Sequence, residues 1–150
     1  MNPAAKAVLN RIQAYGFDPL LDAEQRDRIT TLFQSATGRL GPEDYLYIHA
    51  KIRDKFEAVQ GHLPAEWSPL LEGVRILYNT LLLHENRLLE LSPAGYALIG
   101  AALFYFLDPF DFFPDDDPER GYLDDFYVLQ LCLNSLSPAD LAQVAHTIQQ

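Results

Sequence analysis

Apolar residues along the chain recur at three- and four-residue steps and almost nowhere alternate, so the pattern predicts helices and no convincing strand. The longest run extends from Pro69 to about Glu90, where Leu70, Val74, Leu77, Tyr78, Leu81, Leu88 and Leu89 mark one buried stripe. A second run, Pro93 to Leu107, is apolar nearly all round and holds Gly95, Gly100 and four alanines. Small side chains let neighbouring helices come close, so this stretch is expected to be the central helix. Starts and stops divide the rest of the chain. Ser68-Pro69, Ser92-Pro93 and Ser137-Pro138 each place a hydroxyl acceptor before a proline whose missing N–H had no helical partner to lose. Asn2-Pro3 opens a first helix to Tyr15, with Gly16 as terminator, and Asp22 with Gln25 forms a capping box for a second that ends before Gly38. Pro42 opens a third helix closed by Gly61, a sixth runs from about Tyr122 to Asn134, and a seventh from Pro138 to Ile148. The expected fold is an all-α, compact helical bundle of about seven helices.

Composition fits one globular domain: 150 residues, 49% hydrophobic and 21% charged. Folding at this length buries roughly 70% of the unfolded chain's surface, which is enough for a self-sufficient core. Residues 1–67 read as an N-terminal helical subdomain packed on residues 68–150. Cys132 is the sole cysteine, so an intramolecular disulfide and a thiolate-rich zinc site are both excluded, and its apolar neighbours Leu131 and Leu133 indicate an inert thiol. A net charge of −10 argues against nucleic acid as a partner, because phosphate affinity rises with the number of cations supplied. The first residues, Met1 to Ala14, lack the uninterrupted apolar core of a signal peptide, and a cytoplasmic location is expected. Between Glu90 and Asp108 the charge-free window contains 17 residues, short of the roughly 20 that cross a bilayer, so a buried helix is favoured over a membrane span.

Charge is unevenly spread. Residues 1–75 carry 9 basic and 10 acidic side chains, whereas residues 76–150 carry 2 and 11. Eight of the 21 acidic residues fall between Asp108 and Asp125, opposed only by Arg120. There Pro109, Asp111, Pro114, Asp115, Pro118, Gly121, Asp124 and Asp125 follow a Pro-x-Asp-x-x-Pro-Asp-x-x-Pro-x-x-Gly-x-x-Asp-Asp spacing, with Tyr105 four residues ahead of Pro109. Over about residues 75–135 the chain resembles the YkvA-like family, a bacterial domain of unknown function. That resemblance implies an antiparallel helical hairpin built around an acidic Pro/Asp loop, and it implies no reaction. Asp116, Asp117 and Glu119-Arg120 stand where the family usually has apolar residues, so the loop tip is expected to be wet.

Two readings of these carboxylates stay open. Asp111 and Asp115 suit turns beside proline, while Asp124 and Asp125 suit the first turn of a helix, where each contributes about 0.3–1 kcal/mol against the dipole. Alternatively Asp111, Asp115, Asp124 and Asp125 converge on a hard cation, Mg²⁺ or Ca²⁺. Two unit charges about 4 Å apart repel by roughly 4 kcal/mol at an effective dielectric of 20, so four converging carboxylates need something positive among them. Arg75 or Arg87 are candidates to pair with this corner. The four histidines, His49, His62, His84 and His146, form no i, i+4 pair and read as helix-surface or satisfied interior residues. Tyr45, Tyr47, His49, Lys51, Arg53 and Lys55 interleave with Asp44, Asp54 and Glu57, the pattern of a solvated face of mixed sign. The leading functional expectation is a non-catalytic accessory module whose acidic loop contacts a protein partner or a second copy of the chain. A divalent-metal-dependent hydrolase of phosphate esters is the alternative, and a peripheral membrane-associated factor a third.

Overall fold

A computed structural model describes residues 3–17, 21–61, 63, 65, 68–107 and 123–147, and side chains from residue 6 onward. Among the described residues the chain forms α1 (Pro3–Ala14), α2 (Ala23–Thr37), α3 (Pro42–Gln60), α4 (Ser68–Glu85), α5 (Pro93–Leu107), α6 (Leu123–Ser135) and α7 (Pro138–His146), with no strand. The all-α expectation holds. Residues 108–122, which include the acidic loop with Asp111 and Asp115, lie outside the described residues, as does His62.

Local chemistry explains most boundaries. The Asp22 carboxylate accepts the Gln25 N–H at 2.7 Å while Gln25 Oε1 accepts the Asp22 N–H at 2.9 Å, so two otherwise orphaned donors at the start of α2 are satisfied. Ser92 Oγ accepts from Gly95 N at 3.0 Å and Ser137 Oγ from Asp140 N at 3.1 Å, which caps α5 and α7 as the Ser-Pro pairs imply. One boundary differs from expectation: α4 stops at Glu85, not near Glu90. Arg87 adopts φ 63°, its N–H bonds to the His84 carbonyl at 3.1 Å, and Leu88 N–H reaches back to the Leu83 carbonyl at 2.8 Å. These are the two bonds of a Schellman terminator. Leu88 therefore leaves the stripe and is 72% exposed. The helical stripe ends at Leu81, although Leu89 beyond the terminator still packs against the core, because a turn that usually announces itself with glycine is here made by arginine.

The end of α1 is set from a distance. Gln130 Nε2 on α6 donates to the carbonyls of Ile12 (3.0 Å), Gln13 (3.3 Å) and Tyr15 (2.8 Å), which satisfies the free end of α1. Such an end has no intrahelical donor left. Around it Tyr15 stacks on Phe126 with ring centroids 4.7 Å apart, and Phe17 meets both Phe126 and Tyr127 edge-on.

Helix α5 is the central element, packed against α2, α3, α4 and α6. Ile99, Ala101, Leu103 and Phe106 are all buried, and one continuous apolar core joins them to Ile12, Ile29, Ile48, Leu77, Leu129 and Val144 from the surrounding helices. At its first turn, α5 is joined to α7 by Asp140, which is 3% exposed and accepts from Ser92 N at 2.9 Å and from Ser92 Oγ. This contact needs Gly95: a methyl group there would stand 2.7 Å from Asp140 Cγ and closer still to one carboxylate oxygen. Burial pushes the Asp140 carboxyl up, but the Ser92 bonds, the Ser137 hydroxyl and the nearby His84 outweigh it and hold its pKa below the ordinary 3.8. No helix among the described residues is long and apolar enough to cross a membrane.

Two stability predictions arise here. Asp140→Ala removes two charge-assisted bonds from Ser92, so denaturant unfolding should show a loss of about 1.5–3 kcal/mol at neutral pH. Because the folded pKa is depressed, this contribution is complete above pH 3.8 and fades as pH falls through the folded value. Arg87→Gly relieves a left-handed conformation at an exposed site, and thermal melting should register a gain of about 0.5–1 kcal/mol.

Candidate functional site

The acidic corner is described only at its helical side. Asp124 and Asp125 occupy the first turn of α6 and are 0% and 4% exposed. Tyr105 on α5 donates its hydroxyl to Asp124 Oδ2 at 3.2 Å. This position is the dipole-matched one that the turn-and-cap reading requires, and it ties α6 to α5. Asp111 and Asp115, the other two candidate metal ligands, lie outside the described residues. Among the described residues no three His, Cys, Asp or Glu side chains are grouped to hold a metal ion. Neither candidate arginine is accounted for by this corner: Arg75 lies over the Phe56 ring, 5.4 Å from its centroid, and Arg87 closes α4.

A second polar cluster lies where α3, the end of α4 and the start of α5 meet. Its hub is Glu85. Oε1 is 2.7 Å from His49 Nε2, and Oε2 accepts the Tyr96 hydroxyl at 2.6 Å. His49 Nδ1 is 3.0 Å from the Tyr78 hydroxyl. A carboxylate can only accept, so Nε2 carries a proton, and in the neutral ring Nδ1 accepts a hydrogen bond from the Tyr78 hydroxyl. Tyr45 stacks flat on Tyr96, centroids 4.4 Å apart and planes 3° from parallel, and its hydroxyl donates to the Tyr96 carbonyl at 3.3 Å. The same hydroxyl end of Tyr45 rests on Gly100, where an added methyl would stand 2.7 Å from its ring and 2.8 Å from its hydroxyl oxygen. On the far side His84 packs 4.8 Å from Tyr96 and accepts the Leu91 N–H at 3.0 Å.

The field in this cluster is negative. Burial first, then Glu85 and Asp44, raise the Tyr45 pKa to about 12. Burial and Glu85 likewise raise Tyr96, through both a hydrogen bond and charge, and they raise Tyr78 despite the opposing effect of Arg53. All three phenols are therefore held as donors, which is the reverse of what a tyrosine nucleophile needs. A network that presents protonated hydroxyls and an imidazole to one carboxylate can bind and orient.

In the sequence Tyr45 and His49 read as part of a solvated face of mixed sign and Tyr78 as part of the α4 stripe, and His49 is satisfied by Tyr78 and Glu85. What that reading missed was their convergence. Tyr45 and His49 stand four apart on α3, and Tyr78 and Glu85 seven apart on α4, spacings that put each pair on one helix face. The link between faces is tertiary and has no spacing of its own. Cys132 is fully buried, its thiol pushed well above the usual range by burial, as its apolar neighbours implied.

Because Tyr45 titrates at 10.0 when unfolded and about 12 when folded, its contribution is complete below pH 10 and is lost as pH rises through about 12. Unfolding midpoints measured from pH 8 to 12 should fall along this limb, and tyrosinate absorbance should appear together with the loss of helical circular dichroism. Tyr45→Phe, which removes the titrating group and one long hydrogen bond, should flatten the limb.

No curated protein and no solved structure matches the chain. Residues 96–131 match the model of the family described as "Protein of unknown function (DUF1232)", a span running from Tyr96 in α5 through the acidic segment to Leu131 in α6. It falls within residues 75–135, where the YkvA-like spacing was read, and the two descriptions are compatible. Over residues 96–131 the chain is thus similar to the DUF1232 family, a domain of unknown function.

Proposed function

We propose that the protein is a non-catalytic accessory module of YkvA-like type, which uses its acidic segment to hold the basic surface of a protein partner. The observation that carries this reading is a contrast in charge and anchoring. Residues 108–122 hold six acidic side chains against Arg120, whereas the two flanking helix ends, Leu107 and Leu123, are core residues at 7% and 1% exposure. A strongly negative stretch is thus held at both ends by a folded frame. Charge of one sign steers an oppositely charged partner and raises the encounter rate, with steep dependence on salt. Self-association through the same segment would set like charges face to face, so a basic partner is favoured over a second copy.

The experiment is affinity capture from source-cell lysate with the intact chain and with a triple variant, Asp115→Asn, Asp116→Asn and Asp117→Asn. A basic protein retained at low salt, released at high salt and lost by the variant is the expected result. Equal capture by both chains would overturn the proposal. The melting temperature should not rise in millimolar Mg²⁺ or Ca²⁺ beyond a salt-matched control. A rise of several degrees that disappears in an Asp111→Asn, Asp124→Asn variant would replace this reading with the metal-dependent one.

A further inference from the structure

The Glu85 cluster forms the floor of an open cavity of about 550 Å³, the size of sites that take small organic molecules. Leu40, Pro42 and Leu46 form its apolar wall, and Leu46 is 69% exposed. Tyr45, Glu85 and Tyr96 supply the floor. Three features set the chemistry of an occupant. Glu85 keeps 27% of its side chain open, and each of its oxygens accepts a single bond from the cluster, so acceptor capacity remains on both. The charges acting on Tyr45 at this site, Glu85 and Asp44, are both negative. His49 offsets Glu85 only when its ring is protonated. An anion is repelled here, and a purely apolar molecule leaves the carboxylate unused.

We infer that this cavity binds an alkylammonium group, with the ammonium on Glu85 beside the two stacked tyrosines and the hydrocarbon against Leu40, Pro42 and Leu46. The ion pair with Glu85 supplies the attraction, and the wall buries the chain of the amine. The group can come from a free amine or from a lysine side chain. None of the residues named in this site belongs to the acidic segment, and the inference does not depend on the function proposed above.

The test titrates the intact protein with n-hexylammonium chloride, n-hexanol and sodium hexanoate, followed by amide chemical shifts at Tyr45, Leu46, His49, Glu85 and Tyr96. Saturable shifts with hexylammonium in the millimolar range, at least tenfold weaker binding of hexanol and none of hexanoate are expected. Glu85→Gln should weaken hexylammonium at least tenfold. Leu46→Lys is a second variant at an exposed position, and its own ammonium should compete for the carboxylate and abolish binding without loss of helical signal. Hexanol binding as tightly as hexylammonium, the absence of saturable shifts, or unaltered binding by either folded variant would overturn the inference. Nα-acetyl-lysine methylamide then separates the sources: affinity close to that of hexylammonium identifies a lysine side chain, and affinity tenfold lower identifies a free amine.

Discussion

The structure depends on covering one helix on every side. From Pro93 to Leu107, α5 carries no charged side chain and nine of its residues are buried, so water can be kept off it only by neighbours on several faces at once. Helices α2, α3, α4 and α6 supply that cover. Burial of such a helix, at about 25 cal/mol per Å² of apolar surface, is the main force ordering the bundle. Where the neighbours bring polar groups, α5 gives way with glycine: Gly95 receives the Asp140 carboxylate and Gly100 the Tyr45 ring. The same two contacts position the α7 cap and one wall of the Glu85 cluster. Packing and site geometry are therefore consequences of a single constraint.

Much of this was legible in the sequence, for identifiable reasons. Ser92-Pro93, Asp22 with Gln25 and Ser137-Pro138 are local devices whose effect is exerted within one turn, and α2, α5 and α7 begin where they stand. The glycines and alanines of α5 declared close approach without saying of what. Arg87 hid the end of α4 because a left-handed residue is not normally arginine, and so Leu88 and Leu89 were drawn into a stripe that had already ended. The Glu85 cluster was illegible for a different reason. Its members come from three helices, and the distances between those helices are fixed by the burial of α5, which no spacing along the chain records.

The two polar sites differ in how the fold treats charge. At Asp140 and at the head of α6, carboxylates are enclosed, set in first helical turns and bonded to hydroxyls or amides, so they act as fasteners between helices. At Glu85 the carboxylate ends a helix, faces a cavity and gathers hydroxyls that stay protonated. Asp124 and Asp125 lie within the segment matched by the DUF1232 family, whereas His49 and Glu85 fall before residue 96 and outside it. Any role of the cavity would accordingly belong to this chain more than to the matched segment.

The fastening of α1 by Gln130 carries a temporal cost. The carbonyl of Tyr15 waits for a donor 115 residues further on, and the ring of Phe126 that stacks on Tyr15 arrives only slightly earlier. At ribosomal speeds of about 5–20 residues per second, the end of α1 spends roughly 6–23 s without its final partner. Nascent chains in that interval present the apolar side of α1 to solvent and to chaperones, and the bundle closes from its late-made half back onto its beginning.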